Sequence, residues 1–339
     1  MTEQDVRNIA SVRIVSAVEP IEGADRVEKV TVGGWNVVVP KNLYGVGDSV
    51  IFLEIDAGVP VADERFAHLV HGAKTRTYGD KTFALVKTKR LRGVLSQGAI
   101  VDIDLFDNVD ETTEGDISEL IGVIKWEREV DKAGNPVKLP STAVGEFPSN
   151  YARKSDAERV QNVEDFILDQ QKRKSVWIPT EKVDGTSITV GRNRDGELFA
   201  ASRNWEVPTE GHPVIAWIDL HDYTIPTGMA VQGEWAGFGI QKNPLALQEK
   251  RFFVFQVYQD GNIVSQDMWP EWALENRVPV LDFTFPDSMD QAVEQADGLY
   301  SVINPEVQAE GIVWFDTTGT LHNKVGMRNV FKAINNQTL

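Results

Sequence analysis

The chain has 339 residues, 42% of them hydrophobic, and this length predicts two or three domains with sizeable cores. It contains no cysteine, which excludes disulfides, cysteine-ligated zinc and a thiol nucleophile, and its five histidines form no zinc-binding motif. The N-terminal residues lack the apolar run of a signal peptide, and no segment holds the roughly 18 apolar residues of a membrane span. We therefore expect a cytoplasmic protein with no membrane partner. We also expect it to be a monomer.

Charge is distributed unevenly along the chain. The net charge of −17 comes from 51 acidic and 34 basic residues. Residues 1–104 carry 13 basic and 14 acidic residues, whereas residues 105–339 carry 21 and 37. Binding to nucleic acid depends on local phosphate contacts as well as on total charge. The acidity therefore argues against tight non-specific binding to a polyanion, but it does not exclude a specific nucleic-acid partner.

Short β-like segments separated by Gly, Pro and Asp occupy the first hundred residues. They lie at 12–18, 27–32, 35–39, 49–55, 82–91 and 98–103. Five or six short strands in this span favour a small closed barrel over residues 1–104.

Residues 105–145 are predicted to be a linker. An acid-rich stretch at 104–119 holds seven carboxylates and no base, which is typical of a solvated connection or of the exposed side of a small helix. A stretch rich in Pro, Gly and Ser at 131–150 then marks the domain boundary.

The remainder, residues 146–339, is predicted to be an α+β domain with antiparallel sheets and flanking helices. Apolar residues at helical spacing predict a helix over 158–171, and weaker helical patterns lie around 270–277 and 289–303. The β-like segments are 176–182, 187–192, 197–202, 230–237, 252–258 and 311–316. Asp-Gly pairs within NRDG (193–196) and QDGN (259–262) predict hairpin turns.

The stretch EKVDG (181–185) places Lys182 and Asp184 on one face of a strand and follows them with Gly185. By itself this pattern fits two exposed strand residues beside a bulge glycine. Gly185 would let the backbone pass close to a ligand, because it has no Cβ.

Three later features favour a functional site over two exposed strand residues. Glu234 lies between two glycines in an apolar strand, and Glu310 with Gly311 opens another apolar strand. A basic segment near the C-terminus holds Lys324, Arg328 and Lys332. Each feature alone could be a solvated strand end or edge, but the ordered set of four is harder to explain in that way.

The ordered motifs resemble the covalent nucleotidyltransferases, which comprise ATP-dependent RNA and DNA ligases and mRNA capping enzymes. The matching segments are KVDG (182–185), SRNWE (202–206), GEWAG (233–237), FFVFQV (252–257), EGIVWF (310–315) and the segment that contains Lys332. The finer resemblance, over nearly the whole chain, is to the RNA ligases typified by the Deinococcus and Naegleria enzymes. Those ligases carry an OB-fold module ahead of the adenylyltransferase domain. The resemblance therefore implies that residues 1–104 form an OB-like nucleic-acid-binding barrel.

The resemblance implies ATP and Mg²⁺ (or Mn²⁺) as cofactors and assigns roles to individual residues. Lys182 would attack the α-phosphate of ATP and form a lysyl-AMP, and Lys332 would neutralise charge on that phosphate. Asp184, Glu234 and Glu310 would hold the metal ion or its waters, or the ribose. The other cofactor-binding residues would be Glu181 beside the nucleophile, Arg159 at the triphosphate, Arg203 at the ribose or the 5′-phosphate end, and Phe255 stacked on adenine.

The sequence departs from the motifs of these enzymes at two points, and its first domain carries one basic stretch. KVDGTS lacks the arginine that many DNA ligases place two residues after the glycine, which favours the RNA ligases. The last motif has no Lys-x-Lys, so the choice among Lys324, Arg328 and Lys332 stays open, and we favour Lys332. On the barrel, a solvated strand face or a phosphate-binding surface would explain the four bases Lys87, Lys89, Arg90 and Arg92.

The leading hypothesis is an ATP-dependent RNA ligase that joins 3′-OH and 5′-phosphate ends through a lysyl-AMP intermediate. Its expected substrate is a nick in an RNA or RNA/DNA duplex with RNA on the 3′-OH side. The alternatives are a DNA ligase or capping-type guanylyltransferase, and a non-catalytic OB-type nucleic-acid-binding protein.

Overall fold

Strands dominate the structure, as the period-two alternation of apolar residues predicts. The structure, a computed structural model, describes residues 8–126, 142–155, 157–163, 167, 176–317 and 330–338. The chain divides into two units, Met1–Lys138 and Leu139–Leu339. None of the helices in these described residues is long and apolar enough to span a membrane.

The described part of the first unit contains eleven strands and two α-helices of one turn each. The strands are β1 (Ala10–Pro20), β2 (Val27–Val32), β3 (Trp35–Pro40), β4 (Ser49–Leu53), β5 (Ala57–Pro60), β6 (Thr75–Tyr78), β7 (Lys81–Leu85), β8 (Lys89–Leu91), β9 (Val94–Ser96), β10 (Ala99–Asp102) and β11 (Ile124–Lys125). The helices are α1 (Ala67–Val70) and α2 (Ser118–Ile121). Three sheets result, in the orders β10-β4-β1-β2-β3, β11-β5-β7-β6 and β8-β9, all antiparallel.

The five-stranded sheet curls around an apolar interior. Every second residue of β2 and β3 is buried there, and Trp35 stacks on Phe52 with ring centroids 6.0 Å apart. The backbone N–H of Gln97 donates to the carbonyl of Asn36 at 2.7 Å, which brings the chain after β9 against β3. The predicted strand over 82–91 is two strands, β7 and β8, because the chain leaves the sheet between them.

Part of the segment predicted as a linker lies in the first unit. Phe106, Ile117 and Ile121 are buried in a core shared with Ile51 and Leu53 of β4. The acidic residues of this stretch lie between these buried apolar residues along the sequence.

The described part of the second unit has eleven strands and three helices. The strands are β12 (Gly145–Glu146), β13 (Glu158–Arg159), β14 (Trp177–Glu181), β15 (Thr186–Arg192), β16 (Leu198–Ala201), β17 (Trp205–Val207), β18 (Met229–Ala236), β19 (Arg251–Gln259), β20 (Asn262–Ile263), β21 (Gly311–Asp316) and β22 (Val330–Ile334). The helices are α3 (Pro213–Leu220), α4 (Glu271–Glu275) and α5 (Met289–Ala296).

Two sheets form the second unit. The larger has the order β12-β17-β16-β15-β18-β19-β20, and the smaller has the order β13-β22-β21-β14. All pairs are antiparallel except β13 with β22. The segment 276–281 joins them, because Val278 hydrogen-bonds Val254 of β19 while Leu281 hydrogen-bonds Pro179 of β14, at 2.8 and 2.9 Å.

Each sheet has one face covered by helices. α3 and α4 pack on the larger sheet around Val231 and Phe252, and α5 packs on the smaller sheet around Trp314 and Phe331. The opposite faces meet where Phe255 stacks on Phe315, with ring centroids 6.3 Å apart. These facing surfaces form the cleft that holds the candidate site.

The helical predictions succeed in part. α4 and α5 lie within the predicted segments 270–277 and 289–303, although α5 ends at Ala296, shortly before Gly298. The predicted start of the 158–171 helix is wrong, because Glu158 and Arg159 form a strand, and residues 164–166 and 168–171 lie outside the described residues. Helix α3 was not predicted. Its signal is Pro213 in the first turn, where proline needs no hydrogen-bond partner.

Replacing Trp314 by alanine is expected to lower the free energy of unfolding by about 3–5 kcal/mol, because the side chain is fully buried and its loss leaves a cavity. Urea denaturation followed by circular dichroism measures the change. Leu220→Ala, at a side chain that is 79% exposed, is the control and should change stability by less than about 0.5 kcal/mol. Equal midpoints for Trp314→Ala and the unaltered chain would contradict this packing.

Candidate active site

Lys182 lies directly after β14, at the end of the smaller sheet that adjoins the larger one. Its backbone N–H donates to the carbonyl of Gly311 at 2.9 Å, which continues the pairing of β14 with β21. Its side-chain ammonium forms an ion pair with the carboxylate of Glu310. The side chains of Lys182 and Glu310 are 23% and 26% exposed, so the pair is open to a ligand without pointing into bulk solvent.

Three carboxylates surround this lysine. Burial raises the pKa of Glu234 to about 7; the positive charge of Lys182 opposes the shift, while the negative charges of Glu310 and Asp184 add to it. Burial and the negative charge of Glu310 likewise raise the pKa of Asp184, while the positive charge of Lys182 opposes this shift. The three negative charges therefore destabilise one another, and a bound cation would relieve that repulsion.

The donor set fits a hydrated divalent cation. Among the residues that the structure describes, no three His, Cys, Asp or Glu side chains are arranged to hold a metal ion directly. Mg²⁺ usually keeps several waters and binds one or two carboxylates together with substrate phosphates. Asp184, Glu234 and Glu310 would hold such an ion through its waters or singly.

A group of positive charges lies on the same side of the smaller sheet as Lys182. Lys332 of β22 is directly opposite Val313 of β21 and beside Arg159 of β13. Burial lowers the pKa of Lys332 to about 7. The positive charges of Lys182, Arg159 and Arg203 lower it further, while the negative charge of Glu158 opposes the shift. These four cations therefore converge on one region of the cleft, which suits a polyphosphate.

The structure places Lys332 at this cluster. The two other candidates for the same role, Lys324 and Arg328, lie outside the described residues.

Glu181 and Lys182 project to opposite sides of the smaller sheet, as alternation along a strand requires. Glu181 is 1% exposed, and its carboxylate accepts hydrogen bonds from the hydroxyl of Ser301 at 2.6 Å and from the N–H of Val302 at 2.8 Å. Burial nevertheless raises the pKa of Glu181. In this structure the predicted cofactor-binding residue anchors the 301–302 turn. Sequence reasoning missed Ser301, because no local motif marks it.

Gly185 is required by a neighbouring strand. A Cβ at this position would collide with the carbonyl oxygen of Trp235 and lie 2.9 Å from the Cβ of Ala236. The sequence interpretation placed the close approach at a ligand, but the closest approach in the structure is to β18. Gly185 thus lets residues 182–185, the lysine loop between β14 and β15, lie against the strand that carries Glu234.

Phe255 lies deeper in the cleft, on β19. It is half-buried and lines a pocket with Ile178, Thr180, Val278 and Phe315. The lining is mixed, with three aromatic side chains (Phe255, Trp269 and Phe315) and polar groups such as Gln256 and Arg277. Aromatic rings beside hydrogen-bonding groups suit a flat heterocycle. Its neighbour Phe253, directly opposite Glu234, is 3% exposed and belongs to the core.

The four bases of the first unit lie on and beside the β8–β9 hairpin. The side chains of Lys87, Lys89, Arg90 and Arg92 are all exposed. Arg90 donates to the carbonyl of Gly93 at 3.0 Å, which orients it across the hairpin turn.

Comparison with known proteins supports this description of the fold. Residues 9–103 match an OB-fold domain model, and residues 175–334 match the RNA ligase family model. No curated protein matches the chain significantly.

Among solved structures, ligand-free and pyrophosphate-bound forms of Naegleria gruberi RNA ligase match with TM-scores of 0.71 and 0.70. The identities are 27% and 28%; the first covers 99% of this chain and 98% of the other, and the second covers 98% of both. A variant of that ligase with ATP and Mn matches with a TM-score of 0.70, at 27% identity, over 97% and 98% of the two chains.

Glu234→Gln is expected to gain stability relative to the unaltered chain as pH rises from 4.5 to 8 in metal-free buffer. The raised pKa means that the folded chain holds a proton which the unfolded chain has already lost, so ionisation weakens the unaltered fold across this window. The difference in unfolding free energy should grow by about 1–3 kcal/mol. Glu275→Gln, at an exposed position, is the control, and parallel curves for Glu234→Gln and the unaltered chain would contradict the burial of this carboxylate.

Proposed function

We propose that this protein, which belongs to the RNA ligase family and carries an OB-fold domain ahead of its RNA ligase domain, uses ATP to join a 3′-OH end to a 5′-phosphate end. The observation that carries the proposal is the placement of the Lys182 amine against Glu310, within the fields of Asp184, Glu234 and Lys332. The Naegleria ligase, which binds ATP with Mn in one of the matched structures, supports ATP and a divalent metal as cofactors.

The first step is adenylation of Lys182. The amine attacks the α-phosphorus of ATP, a P–N bond forms, and the bond to the pyrophosphate oxygen breaks. An amine attacks only without its proton, so the ion pair with Glu310 opens before the reaction. When bound, a divalent cation supplies positive charge to the carboxylates and to the phosphates. Glu310, as one of the residues that would hold this cation, would then no longer pair with Lys182.

The cationic cluster stabilises the phosphates during this step. Lys332 and Arg159 lie side by side on neighbouring strands, and Arg203 is close enough to lower the pKa of Lys332. A polyphosphate bound between them favours the charged form of Lys332. We assign Lys332 to the α-phosphate, Arg159 to the triphosphate tail and Arg203 to the ribose or the 5′-phosphate end.

Two further phosphoryl transfers complete the reaction. The AMP passes from Lys182 to a 5′-phosphate, so that the P–N bond breaks and a pyrophosphate linkage forms. The 3′-OH of the other end then attacks the 5′-phosphate and AMP leaves. Positioning and charge neutralisation carry most of the catalysis in such transfers, and the same carboxylates and cations serve all three steps.

The rest of the assignment follows the geometry. Phe255 and Phe315 give the adenine a pocket, and the exposed bases of the β8–β9 hairpin give the OB-fold domain a phosphate-binding surface. We propose a nick in a duplex with RNA on the 3′-OH side as the substrate. The monomeric state and the cytoplasmic location stay predictions.

Neither alternative is favoured. The match to the RNA ligase family model argues against a DNA ligase or a capping-type guanylyltransferase. A non-catalytic binding protein would have no reason to retain a lysine, three carboxylates and a second buried lysine in one cleft.

Incubation with labelled ATP and Mg²⁺ is expected to leave an AMP label on the denatured chain, and mass spectrometry should place it on the peptide that contains Lys182. Lys182→Ala removes the nucleophile and should abolish the label. Lys81→Ala, at an exposed lysine of the first unit, is the control and should label fully. Labelling from GTP, or of the Lys182→Ala variant, would contradict the assignment.

A nick with a ribose at the 3′-OH terminus should be sealed about tenfold faster, or more, than one with a deoxyribose at that position. Sites that hydrogen-bond a substrate hydroxyl discriminate strongly against analogues that lack it. Single-turnover sealing of the two duplexes by the adenylated protein measures the ratio. Equal rates would remove the requirement for RNA on this strand.

A further inference from the structure

The loop between β18 and β19, residues 237–250, contacts the lysine motif KVDG (182–185) at three points. Ala236, just before the loop, lies against Gly185. The side-chain amide of Gln241 donates to the carbonyl of Gly185 at 3.3 Å. Leu245 is 3% exposed and belongs to one apolar cluster with Val183.

The loop has a defined conformation. Successive turns close with backbone hydrogen bonds of 2.9 Å from Ile240 to Gly237, from Asn243 to Ile240 and from Ala246 to Asn243. The amide of Asn304 donates to the carbonyl of Leu245 at 3.0 Å. Gln241, Asn243 and Ala246 have positive φ of 48°, 48° and 50°, a backbone conformation that is uncommon for Gln and Ala.

Within this hydrogen-bonded loop, Phe238 is 70% exposed. Isolated exposed apolar side chains are common and by themselves indicate nothing. Phe238, however, lies between Ala236 and Gln241, both of which contact Gly185, three residues from Lys182. An exposed aromatic side chain is thus carried by the loop that contacts the lysine motif, whereas Phe255 of β19 lines the interior pocket.

The charge of the loop complements a polyanion. The loop and the first residue of β19, residues 237–251, contain three basic residues (Lys242, Lys250 and Arg251) and one acidic residue (Glu249). The chain from 105 onward has 37 acidic and 21 basic residues. An exposed ring on a segment of net positive charge, in an otherwise acidic unit, is the pattern that binds bases and phosphates of a single strand together.

We propose that Phe238 stacks on a nucleobase at the ends being joined, and that the β18–β19 loop is therefore an RNA-end contact of the second unit. The inference rests on the proposed ligase function. Aromatic stacking tolerates every base, because each has a π-face. The contact would position the ends beside Lys182 without sequence preference.

The test compares Phe238→Ala and Phe238→Trp with the unaltered protein, and Leu220→Ala, at another exposed apolar side chain, is the matched control. Phe238→Ala should raise the KM for a nicked duplex about tenfold with little change in kcat. Phe238→Trp should keep the affinity, and Leu220→Ala should behave as the unaltered protein. Adenylation of Lys182 by ATP alone should be unchanged in all of them.

Abasic nucleotides identify the contacted end. Nicked duplexes lacking the base on the 3′-OH side or on the 5′-phosphate side should each be compared with an intact duplex. On one of them the unaltered protein should lose the tenfold advantage over Phe238→Ala. An equal KM for both proteins on the intact duplex would overturn the inference. So would a slower reaction of Phe238→Ala with ATP, or an advantage that persists on both abasic duplexes.

Equilibrium binding of the nicked duplex, measured by fluorescence anisotropy, separates this inference from the proposed function. Absence of an AMP label on the unaltered protein would refute the ligase reaction. A binding constant unchanged by Phe238→Ala would refute the contact at Phe238, whatever the labelling result.

Discussion

The ion pair between Lys182 and Glu310 joins residues 128 positions apart and fixes the centre around which the other charges are arranged. Glu310 precedes β21, whose first residue accepts the backbone hydrogen bond of Lys182, so one strand pairing sets both backbone and side chain. Burial raises the pKa values of Asp184 and Glu234, and the negative charge of Glu310 adds to both shifts. A divalent cation and a phosphate therefore enter a site in which opposing charges are already in place but incompletely balanced.

Two charge clusters share one cleft because two sheets meet at its base. The carboxylates come from the lysine loop, from β18 and from the start of β21, whereas Lys332 and Arg159 come from β22 and β13. The segment 276–281 hydrogen-bonds both sheets and fixes their edges together. An acidic chain can in this way present positive charge where a polyphosphate binds, since local arrangement rather than net charge decides the interaction.

Much of the fold followed from the sequence. The alternation of apolar residues located most strands, and the OB-fold and RNA ligase architecture implied by the ordered motifs is confirmed. The strand over 82–91 and the start of the helix over 158–171 were wrong. Glu158 and Arg159 form a strand because β22, more than 170 residues later, offers them a backbone partner, and local periodicity holds no trace of that pairing.

The sequence by itself determined which side chains carry the chemistry, since a lysine, three carboxylates and a basic segment in fixed order are properties of the chain. Tertiary structure alone decided which way each one faces and what it touches. Glu181 is turned away from Lys182 and bonds Ser301, and Gly185 leaves room for the backbone of Trp235. Phe238 is left exposed on the loop that contacts Gly185. The physical reason is that burial, desolvation and hydrogen-bond partners arise from packing between distant segments, and no single segment encodes them.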